Sequence, residues 1–163
     1  MVYFDIDGVL RNLCFEAGIR PFNWNCKIDG LPFVKYFSNN LYHLYFAPKT
    51  EYFDVAVLYN TWIAPFKLMS TQPDSWIPNT KKWVKENFNP YMITPEIIFT
   101  DNKLSQLKQN DILIEDNPTL TNYNQVILVD RSYNRNLQLS HTRVYTPRQL
   151  FLEILRRHHG AEV

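Results

Sequence analysis

The sequence predicts an α/β fold: a parallel sheet with helices on both faces and a small cap inserted after the first strand. Three observations carry this. Short apolar runs recur along the chain with helical patterns between them, and continuous apolar strands of that kind suit a sheet buried on both sides. At 163 residues the chain is long enough to bury one core without staples. The segment between the first and second runs is crowded with aromatic residues and differs in character from both flanks.

Taken in order, Val2, Tyr3 and Phe4 begin a first strand over 2–6, rich in β-branched and aromatic residues. Residues 12–64 form the aromatic-rich cap, which leaves 1–11 and 65–163 as the core. Further strands are expected at 66–70 (FKLMS), 96–100 (EIIFT), 111–115 (DILIE) and 125–129 (QVILV), with a weaker one at 143–146 (RVYT). Between them, NTKKWVKENF (79–88) sets Trp83, Val84 and Phe88 on one side of a helix. The last helix takes Thr146 as N-cap and Pro147 at its first position. Leu150, Phe151, Ile154 and Leu155 form its apolar stripe, and Gly160 stops it.

Composition narrows the class. Hydrophobic residues make up 45% and charged residues 20%, which is ordinary for a globular chain. A net charge of +1 offers no electrostatic reason to bind nucleic acid or an anionic membrane surface. Cys14 and Cys26 form no C-x-x-C pair and read as reduced thiols. Asp5 and Asp7 interrupt what would otherwise be an apolar leader, and no window is apolar over the 18 or so residues a span needs. The expected location is cytoplasmic.

In open parallel sheets, ligands bind beyond the carboxyl ends of the strands. Asp5 and Asp7 follow the first strand, Ser70 and Thr71 the second, Asp101 and Lys103 the third, and Glu115 and Asp116 the fourth. Any one of these is a commonplace: D-x-D-G makes a turn, Ser-Thr before Gln-Pro caps one, and a lone lysine is usually solvated. All four at one sheet edge, in order, point to phosphoryl transfer. Asp5 and Asp116 are suited to hold Mg²⁺ through oxygen ligands. Asp5 can attack phosphorus as a nucleophile, and Asp7, two residues on, can protonate the leaving oxygen and then activate water. Ser70 and nearby N–H groups would grip the phosphoryl oxygens, and Lys103 would supply positive charge where negative charge accumulates. Glu115 reads as a partner for a metal-bound water. With only four glycines in the chain, Gly8 behind the Asp pair answers a need for positive φ.

Asp5-Ile6-Asp7-Gly8-Val9, Ser70, Lys103 and Glu115-Asp116 resemble the four motifs of the haloacid dehalogenase (HAD) superfamily of phosphatases. KKWVKENF, IIFTDNKL, DILIEDNP and YNRNLQL are similar to segments of its 5'(3')-deoxyribonucleotidases, so the resemblance covers residues 1–11 and about 66–145. It implies a Rossmann-like HAD core and Mg²⁺-dependent hydrolysis of nucleoside monophosphates through an aspartyl-phosphate. It also implies a metal held by the carboxylates of Asp5 and Asp116 and the backbone carbonyl of Asp7. Two departures stand out. Leu10-Arg11 replaces the family's Ala-Asp, which sets Arg11 at the mouth of the site. The cap, 12–64, matches nothing in the family.

Substrate-facing rings must therefore be sought among the cap's own aromatics: Phe15, Phe22, Trp24, Phe33, Tyr36 and Phe37, with Trp24 and Phe33 the leading pair. Most of these rings should simply be the cap's core. The partner expected is a small nucleotide, with no membrane, and near-neutral charge argues against long polynucleotides. Oligomeric state stays open, a homodimer included. Two other readings share the residues: a phosphatase for another small phosphate or a nucleic-acid 3'-phosphate end, and a nucleotide-binding protein without turnover. Arg131 and Arg135 fit either a phosphate contact or a loop brace. His43, His141, His158 and His159 read as structural or surface residues.

Overall fold

The structure is a computed structural model that describes residues 1–20, 25–120, 123–135 and 142–159. Strand β1 (Val2–Phe4) lies at the middle of a six-stranded parallel sheet. The chain then makes α1 (Leu13–Glu16), a hairpin of β2 (Lys27–Ile28) and β3 (Leu31–Pro32), α2 (Phe33–Asn39), α3 (Tyr42–Phe46) and α4 (Phe53–Trp62). The remaining elements are β4 (Lys67–Ser70), α5 (Ile77–Phe88), β5 (Glu96–Phe99), β6 (Ile112–Glu115), β7 (Val126–Val129), β8 (Arg143–Val144) and α6 (Pro147–His159). The main sheet runs β5-β4-β1-β6-β7-β8. All six strands foreseen from the apolar runs are present.

Position in the sheet follows burial capacity. Every residue of β1, β6 and β7 is buried, as a central parallel strand requires. At one edge, β5 exposes Glu96 and half-buries Ile97 to Phe99; at the other, β8 is only two residues long. After β1 the order grows outward through β4 and β5 on one side and through β6, β7 and β8 on the other. The direction of winding therefore reverses at β1, and the crevice beyond its carboxyl end is where such a sheet places its ligand.

Helical cover is unequal on the two faces. Val2, Phe4, Leu68, Ile114, Ile127 and Val129 pack with Phe53, Ala56 and Tyr59 of α4, Trp83 and Phe88 of α5, and Leu150 and Ile154 of α6. The alternate residues Tyr3, Met69, Leu113 and Val126 face the other way. There they meet Leu104 and Leu120 on short 3₁₀ turns (Leu104–Gln106 and Pro118–Leu120) rather than α-helices. The crossovers after β5 and β6 are too short to carry a multi-turn helix as well as two loops.

Helix ends behave as their residues dictate. The Thr146 hydroxyl accepts from Gln149 N at 3.2 Å, the expected N-cap of α6. Gly160, the foreseen stop, lies outside the described residues. Helix α5 starts two residues before position 79, because a 3₁₀ turn (Asp74–Trp76) leads into it and buries Trp76. No described helix is long and apolar enough to cross a membrane.

The cap boundary moves. Tyr52, Phe53, Val55, Ala56 and Tyr59 belong to the main core, so α4 is a core helix although the aromatic-rich stretch 12–64 includes it. The separately packed unit consists of Leu13, Ile28, Phe37, Leu44 and Ala47, seated on Trp76 of the core. Aromatic density could not mark this boundary, since the rings of α4 serve one core and Phe37 the other.

Candidate active site

Asp5 directly follows β1, and the chain then folds back on itself. Leu10 N and Arg11 N both donate to Ile6 O (2.9 and 2.8 Å), and Gly8 N donates to Arg11 O at 2.9 Å. The turn needs Gly8 at φ +80, in the left-handed region that suits glycine. This places Asp5, Asp7 and Gly8 on the wall of a cleft of about 1150 Å³ that also receives Thr71, Asp101, Lys103, Glu115 and Asp116. The four strand ends thus converge.

At the floor, Lys103 Nζ lies 2.8 Å from Asp5 Oδ1 and 2.6 Å from Glu115 Oε2. Asp5 Oδ1 also accepts from Ile6 N at 2.7 Å. Glu115 Oε1 accepts from Asp116 N and Asn117 N at 3.1 and 3.0 Å. Burial and the Glu115 carboxylate push Asp5 well above the usual carboxylate range, Lys103 opposing. Burial and Glu115 do the same to Asp116, with a hydrogen bond from Tyr133 opposing. Burial works against the Glu115 charge, but Lys103 and the hydrogen bonds to Glu115 together more than compensate and hold it below the usual glutamate value. Burial works against the Lys103 charge, but Asp5 and Glu115 more than compensate and hold its pKa above that of an ordinary lysine.

Asp5, Glu115 and Asp116 can each bring one oxygen to within 4.8 Å of the others. Among the described residues a single ammonium, Lys103, lies among these three buried acids, and it pairs with Asp5 and Glu115. The burial and the repulsion from Glu115 that raise Asp5 and Asp116 are what a hard divalent cation would offset, and all-oxygen donors suit Mg²⁺. Both Glu115 oxygens already accept hydrogen bonds, which leaves Asp5 and Asp116 as the carboxylates best placed to hold it.

Other expected residues fall differently. Arg11 is not at the mouth: it is fully buried (0% exposed), and its guanidinium is committed to Asp7, Leu44 and Thr80. It cannot be a substrate contact. Ser70 is buried at the end of β4 and accepts from Gln72 Nε2 at 3.0 Å; the neighbouring Thr71 is the residue that lines the cleft. Phe33 lines the cleft, as does Phe15, which is 71% exposed. Phe37 is the centre of the cap core, against Phe33, Tyr36, His43 and Trp76. Trp24 and Phe22 lie outside the described residues, as does His141. His43 is buried between Tyr36 and Glu16. Cys14 and Cys26 are free thiols on the cleft wall; burial, with Asp116 adding, pushes Cys14 up to about 12.

A set of braces follows β7; Arg131 and Arg135 were candidates for it from the sequence, whereas Tyr133 and Asn134 were not. The Tyr133 hydroxyl donates to Asp116 Oδ2. The Asn134 side chain, fully buried, donates to Asp116 O at 2.8 Å and Val129 O at 3.0 Å. Arg131 donates to Gly8 O at 2.6 Å and pairs with Glu51 at 2.7 Å, which makes it a loop brace. Arg135 pairs with Asp130. Their location after a strand, at the same sheet edge as the acids, was the available signal.

No protein-family model matches the sequence, and no curated protein matches it. Among solved structures, D,D-heptose 1,7-bisphosphate phosphatase from Burkholderia thailandensis is similar in fold, with a TM-score of 0.59. The match covers 94% of this chain and 97% of that one at 9% identity. At that identity the likeness is one of architecture.

Proposed function

We propose that this chain is a Mg²⁺-dependent phosphomonoesterase of the HAD type that hydrolyses nucleoside monophosphates. The observation that carries the reading is the buried Asp5–Lys103–Glu115 triad beside Asp116, with Asp7 on the same cleft wall. A pure binding site has little use for a carboxylate nucleophile next to a second acid. The fold it shares with a sugar-bisphosphate phosphatase supports the same chemistry.

In this mechanism Mg²⁺, when bound, offsets the charge of the carboxylates and of the phosphoryl dianion. Asp5 attacks phosphorus in line with the ester oxygen and forms an aspartyl-phosphate. The ester P–O bond breaks, its electron pair stays with the leaving oxygen, and Asp7 gives that oxygen a proton. Asp7 then takes a proton from water as the water attacks the aspartyl-phosphate, which releases inorganic phosphate and restores Asp5. Lys103 holds the Asp5 carboxylate in place and faces the charge that develops on the phosphoryl oxygens.

The nucleotide preference rests on the cleft wall, where Phe33 and Phe15 offer rings for a base. Base–aromatic stacking is worth about 1–3 kcal/mol. A second reading, a sugar bisphosphate or another small phosphate with a second anionic group, is favoured by Arg20 and Lys27 on the same wall. The deciding experiment is phosphate release in Mg²⁺ from nucleoside 5'- and 3'-monophosphates, sugar mono- and bisphosphates, and an oligonucleotide 3'-phosphate. Nucleoside monophosphates should lead sugar phosphates by about tenfold or more in kcat/KM, the scale of one stacking contact. Equal or better turnover of sugar phosphates transfers the assignment to the second reading. No turnover of any ester leaves a binding protein.

A further inference from the structure

Arg11 is one of the largest fully buried side chains of the protein, and it carries a charge. Its Nε donates to Asp7 Oδ1 at 2.7 Å, Nη1 to Leu44 O at 2.7 Å, and Nη2 to Thr80 Oγ1 at 3.0 Å. The guanidinium also lies 5.6 Å from the centre of the Trp83 ring. From Thr80 the connections continue. Its hydroxyl donates to Gln72 Oε1 at 2.6 Å, and Gln72 Nε2 donates to Ser70 Oγ at 3.0 Å.

The direction of this chain is set at its source. A guanidinium only donates. Thr80, fully buried, therefore accepts from Arg11 and places its own proton on the Gln72 carbonyl, which turns the Gln72 amide toward Ser70. Ser70 then accepts at the end of the chain. At the other end, Arg11 occupies one oxygen of Asp7 and so fixes the rotation of a carboxylate that is 19% exposed on the cleft wall.

A buried ion pair is a poor way to gain stability, since desolvation roughly cancels the attraction and an apolar side chain often does as well. A function in placement explains the arrangement better. We infer that Arg11 is a positioning residue: it aims Asp7 for proton transfer, and Thr80, which accepts from its Nη2, holds the guanidinium in place for that task. Its bond to the Leu44 carbonyl ties this aim to the seating of the cap, because Leu44 belongs to the cap core. The inference rests on the phosphatase reading above.

The test compares Arg11→Lys, Thr80→Val and Thr80→Ser with the wild type on two esters in Mg²⁺. A simple alkyl phosphate needs a proton on its leaving oxygen, and para-nitrophenyl phosphate does not. Arg11→Lys should lower kcat on the alkyl ester by about tenfold or more, as misplacement of a proton-transfer group does, with KM nearly unchanged. The loss on the nitrophenyl ester should be several times smaller. Thr80→Val should show the same pattern at smaller size, and Thr80→Ser should restore the wild-type values. If Arg11→Lys fails to fold, judged by its thermal melt, Thr80→Val carries the test alone. Equal losses on both esters, or a Thr80→Val enzyme identical to wild type on the alkyl ester, overturns the inference and leaves the phosphatase intact. A wild type that cleaves neither ester overturns both.

Discussion

Gly8 passes directly beneath the Asp116 carboxylate: a Cβ built on it would meet Oδ2 at 1.9 Å and the Tyr133 hydroxyl at 2.6 Å. Its φ of +80 is in the left-handed region besides. Glycine is thus required twice, once by the turn and once by the carboxylate above it. Gly8→Ala should lower stability by at least about 1–2 kcal/mol from the backbone alone. It should also abolish turnover, since Asp116 or Tyr133 must move aside. An alanine variant with the wild-type melting temperature and rate would refute this account of the turn.

Divalent cation should act on the folded protein as well as on the reaction. Chelator should remove activity and Mg²⁺ restore it, with calcium a poor substitute because its larger, looser shell spoils the in-line geometry. Mg²⁺ at a hundred times its Kd should stabilise the fold by about 2.7 kcal/mol. Asp116→Asn should lose both effects, which thermal melts with and without Mg²⁺ would read directly. A melt that rises equally in the variant places the cation elsewhere.

Asp130 should shape the acid limb of the stability curve. Burial alone would raise its pKa, but Arg135 and Arg143, with Arg135 Nε at 3.0 Å and Arg143 Nη1 at 2.9 Å, hold it below the ordinary value. A depressed carboxyl contributes stability that is complete above its unfolded pKa, roughly 4, and is lost as pH falls through the native value. Urea unfolding of the wild type should therefore lose more stability below pH 4 or so than Asp130→Asn does. Parallel acid limbs would show that the pairing contributes nothing.

On the nucleotidase proposal, Phe33 is a ring offered to the base: it lines the cleft and leans on Phe37 with ring centroids 4.7 Å apart. Phe33→Ala should raise KM for nucleoside monophosphates about fivefold or more, the low end of a lost stacking contact. KM for para-nitrophenyl phosphate should move less. Phe15→Ala should add to the effect, as its ring lines the same wall. Identical changes in KM for both substrates would remove these rings from base recognition.

Much of this protein is legible in its sequence. Six apolar runs marked six strands, because a strand buried on both faces must be apolar throughout. Residues just past those runs were bound to meet, since parallel strands share one carboxyl edge; Asp5, Lys103, Glu115 and Asp116 are together for that reason. Gly8 was readable as a positive-φ turn, because so few glycines occur elsewhere.

What remained hidden depends on contacts between segments far apart in sequence. Arg11 looks like a solvated cation at a site entrance, and only the approach of Leu44 and Thr80 turns it inward. Helix α4 carries the same aromatic character as the cap, yet Phe53 and Tyr59 face the main core. The place of Tyr133 and Asn134 just past β7 sets them at the edge of the acids, but their residue types do not announce that they hold Asp116, which precedes β7 in the chain. The sequence by itself determined the strands, their shared edge and the identity of the acids there, because apolar periodicity and residue order are local properties. Tertiary structure alone decided which charges are buried, which hydroxyl reaches the cleft and which ring faces it. Those outcomes depend on what packs against each side chain, and packing is settled only when the whole chain has closed.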